Sequence, residues 1–300
     1  MARSNSLQLK AYLLKKALIF SAFFYVSISA NPGVLANPGI LASTQINTLS
    51  HASTSACPPP HIDETARVNY VYDGDTVQLE DGRKIRLLGI DTPEIFSKRG
   101  SVAEAIKRSG EQAKAALQGL LNRANQHVGL AYGGQRFDRY QRSLAHVFLP
   151  DGTNLQAQLI SQGHAIAFTT PPNDAMSDCY QQLETQAIKQ VRGIWKLPQY
   201  QLKRVTQLKN TSAGFHRLQA KVTRVWQNNH RVTLVLDNAL EVKIHHYDLP
   251  NFNAHMLKTL AQKNIEIRGW LHVKNPSQVT QNKPRFMMTV RHPDAIKMLH

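Results

Sequence analysis

Acidic residues, cysteines and long apolar runs are all scarce in this chain of 300 residues. Against 36 Lys and Arg stand 20 Asp and Glu, a formal net charge of +16. That shortage of negative charge points to a polyanionic partner, with nucleic acid ahead of a membrane surface and ahead of a basic coat kept for solubility. The stretch Ala17 to Ile28 is the main apolar run, and its 12 residues fall short of a bilayer span, which needs about 20. It follows the basic pair Lys15-Lys16 and precedes Ser29-Ala30, the order of an export signal over residues 1–30, with an uncleaved anchor as the alternative. Cleavage after Ala30, Ala36 or Ala42 fits equally. Arg3, Lys10, Lys15 and Lys16 would leave with the signal, so that a net charge of about +12 remains. Two cysteines, Cys57 and Cys179, allow one disulfide at most; in an oxidising compartment they are expected to pair, two buried free thiols being the other outcome. With 42% hydrophobic and 19% charged residues, a wholly disordered or fibrous chain is excluded.

Residues 31–62 repeat Asn-Pro-Gly and end in Pro58-Pro59-Pro60, a flexible lead-in that cannot bury a core. From residue 63 the pattern turns to short strands. Ala66 to Tyr72, Thr76 to Leu79 and Lys84 to Ile90 are rich in Val, Ile and Tyr and are parted by the turn dipeptides Asp73-Gly74 and Asp81-Gly82. Ser101 and Ser109 each stand three residues before Glu104 and Gln112, the capping-box spacing, and a helix is expected from Ser109 to about Arg123. Strands near residues 128–132 and 143–149, a helix near 155–162 closed by Gly163, and a helix near 176–191 complete a first domain over 63–197. Residues 198–214 are polar and basic, a linker. Beyond it, five apolar strands with one helix near 253–262 form a second domain over 215–300. The fold class is mainly β with helices: a five-stranded barrel of the oligonucleotide/oligosaccharide-binding (OB) type, then a second, OB-like β domain.

Chemistry is concentrated in Asp73-Gly74-Asp75-Thr76 and in Arg86-Leu87-Leu88-Gly89-Ile90-Asp91-Thr92-Pro93-Glu94. Strand ends brought together by a meander would set Asp75 beside Asp91, two carboxylates that with a backbone carbonyl offer the hard oxygens required by Ca²⁺ or Mg²⁺. Arg86 and Arg142 can hold a phosphate in a guanidinium fork, and Glu94 can act as base for water. Singly, Asp73-Gly74 is an ordinary hairpin turn and each Arg an ordinary surface residue. His164 and the pair His245-His246 lack partners at metal-ligand spacing.

These motifs, with Asp138-Arg139-Tyr140-Gln141-Arg142, Gln162-Gly163 and Gly193-Ile194-Trp195, resemble staphylococcal nuclease (thermonuclease) in order and spacing over about residues 64–197. The resemblance implies a Ca²⁺-dependent endonuclease on DNA and RNA that leaves 5′-hydroxyl and 3′-phosphate ends, with Mg²⁺ the lesser alternative. It implies Asp75, Asp91 and the Thr92 carbonyl as metal ligands, and Glu94 as general base. Arg86 and Arg142 are implied as catalytic phosphate-holding groups, with Arg139 and Tyr140 near the nucleotide. Phe168 stands where the family stacks a tyrosine on the base, and Lys98 and Arg99 lie in a basic loop that differs from the family's. The likeness stops before the second domain. There Lys221, Arg224, Arg231, Lys243 and Lys258 with Phe215, Trp226, Tyr247 and Trp270 are expected either to line a groove for single strands or to form a core and a solvated face. The protein is expected to be exported to the periplasm or medium, monomeric and free of membrane once its signal is gone. The rival readings are a non-catalytic nucleic-acid-binding scaffold and an adhesion protein for acidic glycans.

Overall fold

The computed structural model describes residues 56–59, 61–96, 102–275 and 284–299. The expected signal, most of the expected lead-in, Lys98, Arg99 and Ser101 lie outside the described residues. No helix among the described residues is long and apolar enough to cross a membrane.

Strands form where β-branched, aromatic and other apolar residues cluster between turn dipeptides. In the first half these are β1 (Glu64–Val71), β2 (Thr76–Leu79), β3 (Lys84–Leu87), β5 (His127–Phe137) and β6 (Ser143–Phe148), closed into a barrel in the order β1-β2-β3-β6-β5. The β3–β6 pairing is parallel, Ile85 opposite Ser143, and the others are antiparallel. Helix α1 (Glu104–Asn122) crosses between β3 and β5 and buries Ala113, Leu117 and Leu121. It starts ahead of Ser109, against the sequence reading: Ser109 lies inside the helix and donates its hydroxyl to the Ala105 carbonyl (3.0 Å) instead of capping a new one. Helices α2 (Leu155–Ser161) and α3 (Ser177–Lys189) pack on the barrel, α2 being capped by the Asn154 side chain.

The second half repeats the plan. Strands β9 (Gly214–Gln227), β10 (Arg231–Leu236), β11 (Leu240–His245), β13 (Phe286–Thr289) and β12 (Asn264–Val273) pair in that order, and β12 returns to β9 to close the circuit. The β11–β13 pairing is again parallel, and helix α4 (Ala254–Thr259) again sits between the third and fourth barrel strands. Both barrels thus have the OB strand order. Residues expected as a linker include β8 (Leu202–Arg204), which pairs with β9, and the buried Tyr200 and Val205; β14 (Ile296–Met298) extends the sheet on β12.

Cys57 and Cys179 are joined, Cα–Cα 5.8 Å, across 122 residues of chain, which ties the segment before β1 to α3. In the chain-entropy model a loop of that length stabilises by about 5 kcal/mol. Asn154 reinforces the tie by donating from Nδ2 to the Cys57 carbonyl (3.0 Å) and the Tyr180 hydroxyl (3.1 Å). The same hydroxyl lies 2.9 Å from Nδ1 of buried His146.

Between the barrels lies an apolar cluster of Ile166, Ala187, Ile194, Trp195, Tyr200 and Phe215, edged by Trp270. Through it runs one buried ion pair. Arg268 of β12 grips both carboxylate oxygens of Glu184 on α3 and donates to the Ala167 carbonyl (3.0 Å). Glu184 in turn accepts from the Ala167 amide (2.8 Å).

Two measurements follow from this packing. Arg268→Met leaves a carboxylate buried without its counter-charge and should lower unfolding free energy by about 3–5 kcal/mol in a denaturant titration. A loss under about 1 kcal/mol would show that the pair is dispensable. Burial lowers the His146 pKa from 6.5 to about 4, so the unfolded chain binds the extra proton first. Stability from this group is complete above pH 6.5 and declines as pH falls toward 4, by about 3 kcal/mol in all. His146→Gln should therefore flatten the acid limb of a Tm-against-pH curve; an unaltered limb would assign that limb to other groups.

Candidate active site

Asp75 sits just past the turn that opens β2, and the turn is shaped locally: Asp73 Oδ1 accepts from the Asp75 amide at 3.1 Å, an Asx turn. Gly74 is needed for contact, since a Cβ there would lie 2.6 Å from the Ala113 side chain of α1 and 2.8 Å from Thr92. Helix α1 can therefore press the turn toward the loop that carries Thr92. Asp75 is buried, and its Oδ2 accepts from both the amide and the hydroxyl of Thr92, each at 3.0 Å.

Asp91 arrives on β4 (Ile90–Asp91), which pairs with β7 (Ile166–Ala167) through Ile90 opposite Ala167 and Asp91 opposite Ile166. Gly89, at φ +75°, makes the bend before β4; a side chain there would strike the Tyr180 ring. Between the two carboxylates stands Arg86 of β3. One terminal nitrogen contacts Asp75 and the other donates to Asp91 at 2.8 Å, with the Ile90 carbonyl 3.3 Å away. The carboxylates expected to converge do converge, on a guanidinium.

Arg142 comes from the β5–β6 hairpin. The turn Asp138 to Arg142 is closed by Asp138, whose carboxylate accepts from the amides of Tyr140 (2.8 Å) and Arg142 (2.9 Å) and from Nε of Arg142 (2.7 Å). Nη1 of Arg142 donates to the Thr76 hydroxyl (3.2 Å), which itself donates to Asp75 (3.1 Å). Both Arg residues are thus tied to the same aspartate. Arg139 lies over the exposed Tyr140 ring, 4.8 Å from its centre.

Charge in this cluster is unbalanced. When ionised, Asp73, Asp75, Asp91 and Glu94 exceed Arg86 and Arg142 by two negative charges. Burial raises the Asp73 carboxyl, against the pull of Arg86. Burial also raises Asp91, with a further push from Asp73. Glu94 is raised by partial burial and by the nearby Asp91 and Asp73. A divalent cation would offset that surplus, and the carboxylate oxygens are hard donors of the kind it takes. Among the described residues no three Asp, Glu, His or Cys side chains stand at metal-ligand spacing, so any ion here must complete its shell with backbone oxygen or water.

A cleft of about 470 Å³ opens beside this cluster, in the range of small-ligand sites. Arg86, Arg139, Tyr140, Arg142 and Phe168 line it, as does Arg291 from the second barrel, which the sequence reading did not single out. An arginine beside His-Pro carries no local signal of such a role. Phe168, expected to meet a base, packs edge-on against Trp270 at 4.5 Å and keeps about a third of its surface exposed (36%). The aromatic set expected to form one groove on the second barrel is divided: Phe215 and Trp270 face the first barrel, whereas Trp226 sits under Arg231 (5.6 Å) and Tyr247 stacks on His245 (5.3 Å). Lys243 is paired with Glu241.

The family model described as staphylococcal nuclease homologue matches residues 84–197. The thermonuclease of Staphylococcus intermedius is 34% identical over 136 residues, 44% of this chain and 77% of that protein. The thermonuclease of Staphylococcus hyicus is 34% identical over 137 residues, 44% of this chain and 76% of its own length. Endonuclease YhcR of Bacillus subtilis is 30% identical over 136 residues, which make up 43% of this chain and only 11% of that protein.

Proposed function

This chain belongs to the staphylococcal nuclease family, and from that membership and the site's geometry we propose that it is an exported, Ca²⁺-dependent endonuclease on DNA and RNA. It is a phosphodiester hydrolase. The observation that carries the finer reading is Arg86 clasped by Asp75 and Asp91 at the edge of a cleft that Arg142 also lines.

Asp75, Asp91 and the Thr92 carbonyl would hold the ion, which when bound supplies positive charge to a non-bridging phosphate oxygen. The family resemblance favours Ca²⁺ over Mg²⁺, and two carboxylates with one carbonyl are compatible with the looser oxygen shell that Ca²⁺ accepts. Arg86 and Arg142 bind the phosphate and stabilise the charge that grows on it as water attacks. Glu94 accepts the proton of that water; its raised affinity for protons brings it closer to the working pH, which suits a general base. A bond from phosphorus to the water oxygen forms, and the bond to the 5′ oxygen breaks on the opposite side. Arg142 is suited to balance charge on the departing oxygen. Arg139 and Tyr140 extend the phosphate-binding edge, while Phe168 offers an apolar face to a base.

We propose domain limits of 63–197 and 215–300, with a signal at 1–30, a lead-in at 31–62 and a connecting segment at 198–214 whose strand β8 pairs with β9. Export is supported by the basic-then-apolar order of residues 1–30 and by the Cys57–Cys179 bond.

Incubation with plasmid, single-stranded DNA and RNA, each with Ca²⁺, Mg²⁺ or chelator, should give cleavage of all three with Ca²⁺ and none with chelator. Persistence of cleavage in chelator would end the metal assignment. Glu94→Gln should reduce kcat by about 10²-fold or more with little change in KM, whereas a loss below about tenfold would remove Glu94 as the base.

A further inference from the structure

The residues lining the cleft do not all come from the nuclease barrel. Arg291 follows β13 of the second barrel, yet lines the same cavity as Arg86, Arg139 and Arg142. Asp138 is the one carboxylate among those lining residues, and it is already engaged by Arg142. The cleft therefore gathers four guanidinium groups, one of them from the far barrel, and Arg86, Arg142 and Arg291 each also hold a carboxylate.

Arg291 is also held in place. Its Nε donates to Asp248 at 3.0 Å, and Asp248 is buried, with its other oxygen lacking a hydrogen-bond partner among the described residues. The grip is one-pointed and does not use the two-nitrogen fork that Arg offers a carboxylate or phosphate. The Arg291 carbonyl is fixed as well, accepting from Asn251 Nδ2 at 3.2 Å. The barrel that carries it is tied to the first by the Arg268–Glu184 pair, by the Thr169 hydroxyl donating to Asp294 (2.8 Å) and by the Phe168–Trp270 contact. An arginine pre-positioned at a cleft by one contact, as Arg291 is by Asp248, loses less side-chain entropy on binding phosphate than a free one, and its terminal nitrogens stay available.

Resting on the nuclease reading above, we infer that the second barrel is one wall of the substrate groove, with Arg291 binding a backbone phosphate next to the scissile one and the Phe168–Trp270 pair backing the adjacent base. The ligand class is an extended single-stranded polynucleotide, since base faces are free to meet aromatic rings only when unpaired.

The test is equilibrium binding without cleavage. Fluorescence anisotropy in chelator would follow a labelled DNA single strand of about 16 nucleotides, at several salt concentrations, on the full chain, on Arg291→Gln and on Arg291→Lys. Because loss of Arg291 strands a buried carboxylate, Arg291→Gln is also made together with Asp248→Asn, and Tm is read for each. Both Gln variants should bind about 5–10-fold more weakly and lower the slope of log Kd against log salt by about 0.7, while Arg291→Lys keeps the slope. Equal Kd and slope in the folded Gln variants would overturn the inference, as would a slope that Lys does not preserve. Failure of the wild type to cut any substrate would count against the nuclease reading and leave this comparison legible.

Discussion

Asp75 and Asp91 arrive from different strands, and the guanidinium of Arg86 stands between their carboxylates and offsets the repulsion that would otherwise part them or protonate one. Its position on β3 is fixed by the barrel, where Arg86 pairs across to Thr76 and Leu144 on either side. Asp75 is fixed by the Asx turn and by Thr92, and Asp91 by β4. Because Asp73 and Glu94 add their charge to the same place, one guanidinium only part-compensates the cluster. A divalent cation proposed to dock there would compete with Arg86 for the same oxygens and would free the guanidinium to engage the cleft that it lines. Affinity for metal and affinity for phosphate are then coupled by simple electrostatics.

Much of this was legible in the residues. Asp-Gly turns and alternating Val, Ile and Tyr gave the hairpins of β1 to β3, and Gly163, at φ +74°, ends α2 where the sequence placed a left-handed residue. The same local signals located five strands and a helix of the second barrel. What escaped was non-local. Strands β4 and β7 have two residues each, too few to show a period, and they exist because they pair with one another and are braced by Glu184. The polar look of residues 198–207 hid Tyr200 and Val205, which are buried only because a second barrel stands nearby. Ser109 met the sequence rule for a cap, yet lies inside a helix whose apolar face, not its capping signal, decides where it begins.

Arg291 and Phe168 show the same limit at the site. A sequence match to a nuclease stops near residue 197, so it says nothing of what a later domain brings to the cleft. Phe168 reads as a lone base-stacking ring until Trp270 is seen against it. Glu184 and Arg268 carry no motif at all, being an acid on a helix and a base on a strand, and only their shared burial marks them as a structural pair.

That pair has a bearing on the order in which the molecule can be completed. Glu184 waits for a partner made 84 residues later, and the Ala167 carbonyl for one made 101 residues later. During synthesis from the N-terminus, the ladder that carries Asp91 lacks its outer brace until the second barrel's β12 has emerged. The first barrel can collapse early, but the strand that carries Asp91 acquires this support only after β12 of the second barrel has been made.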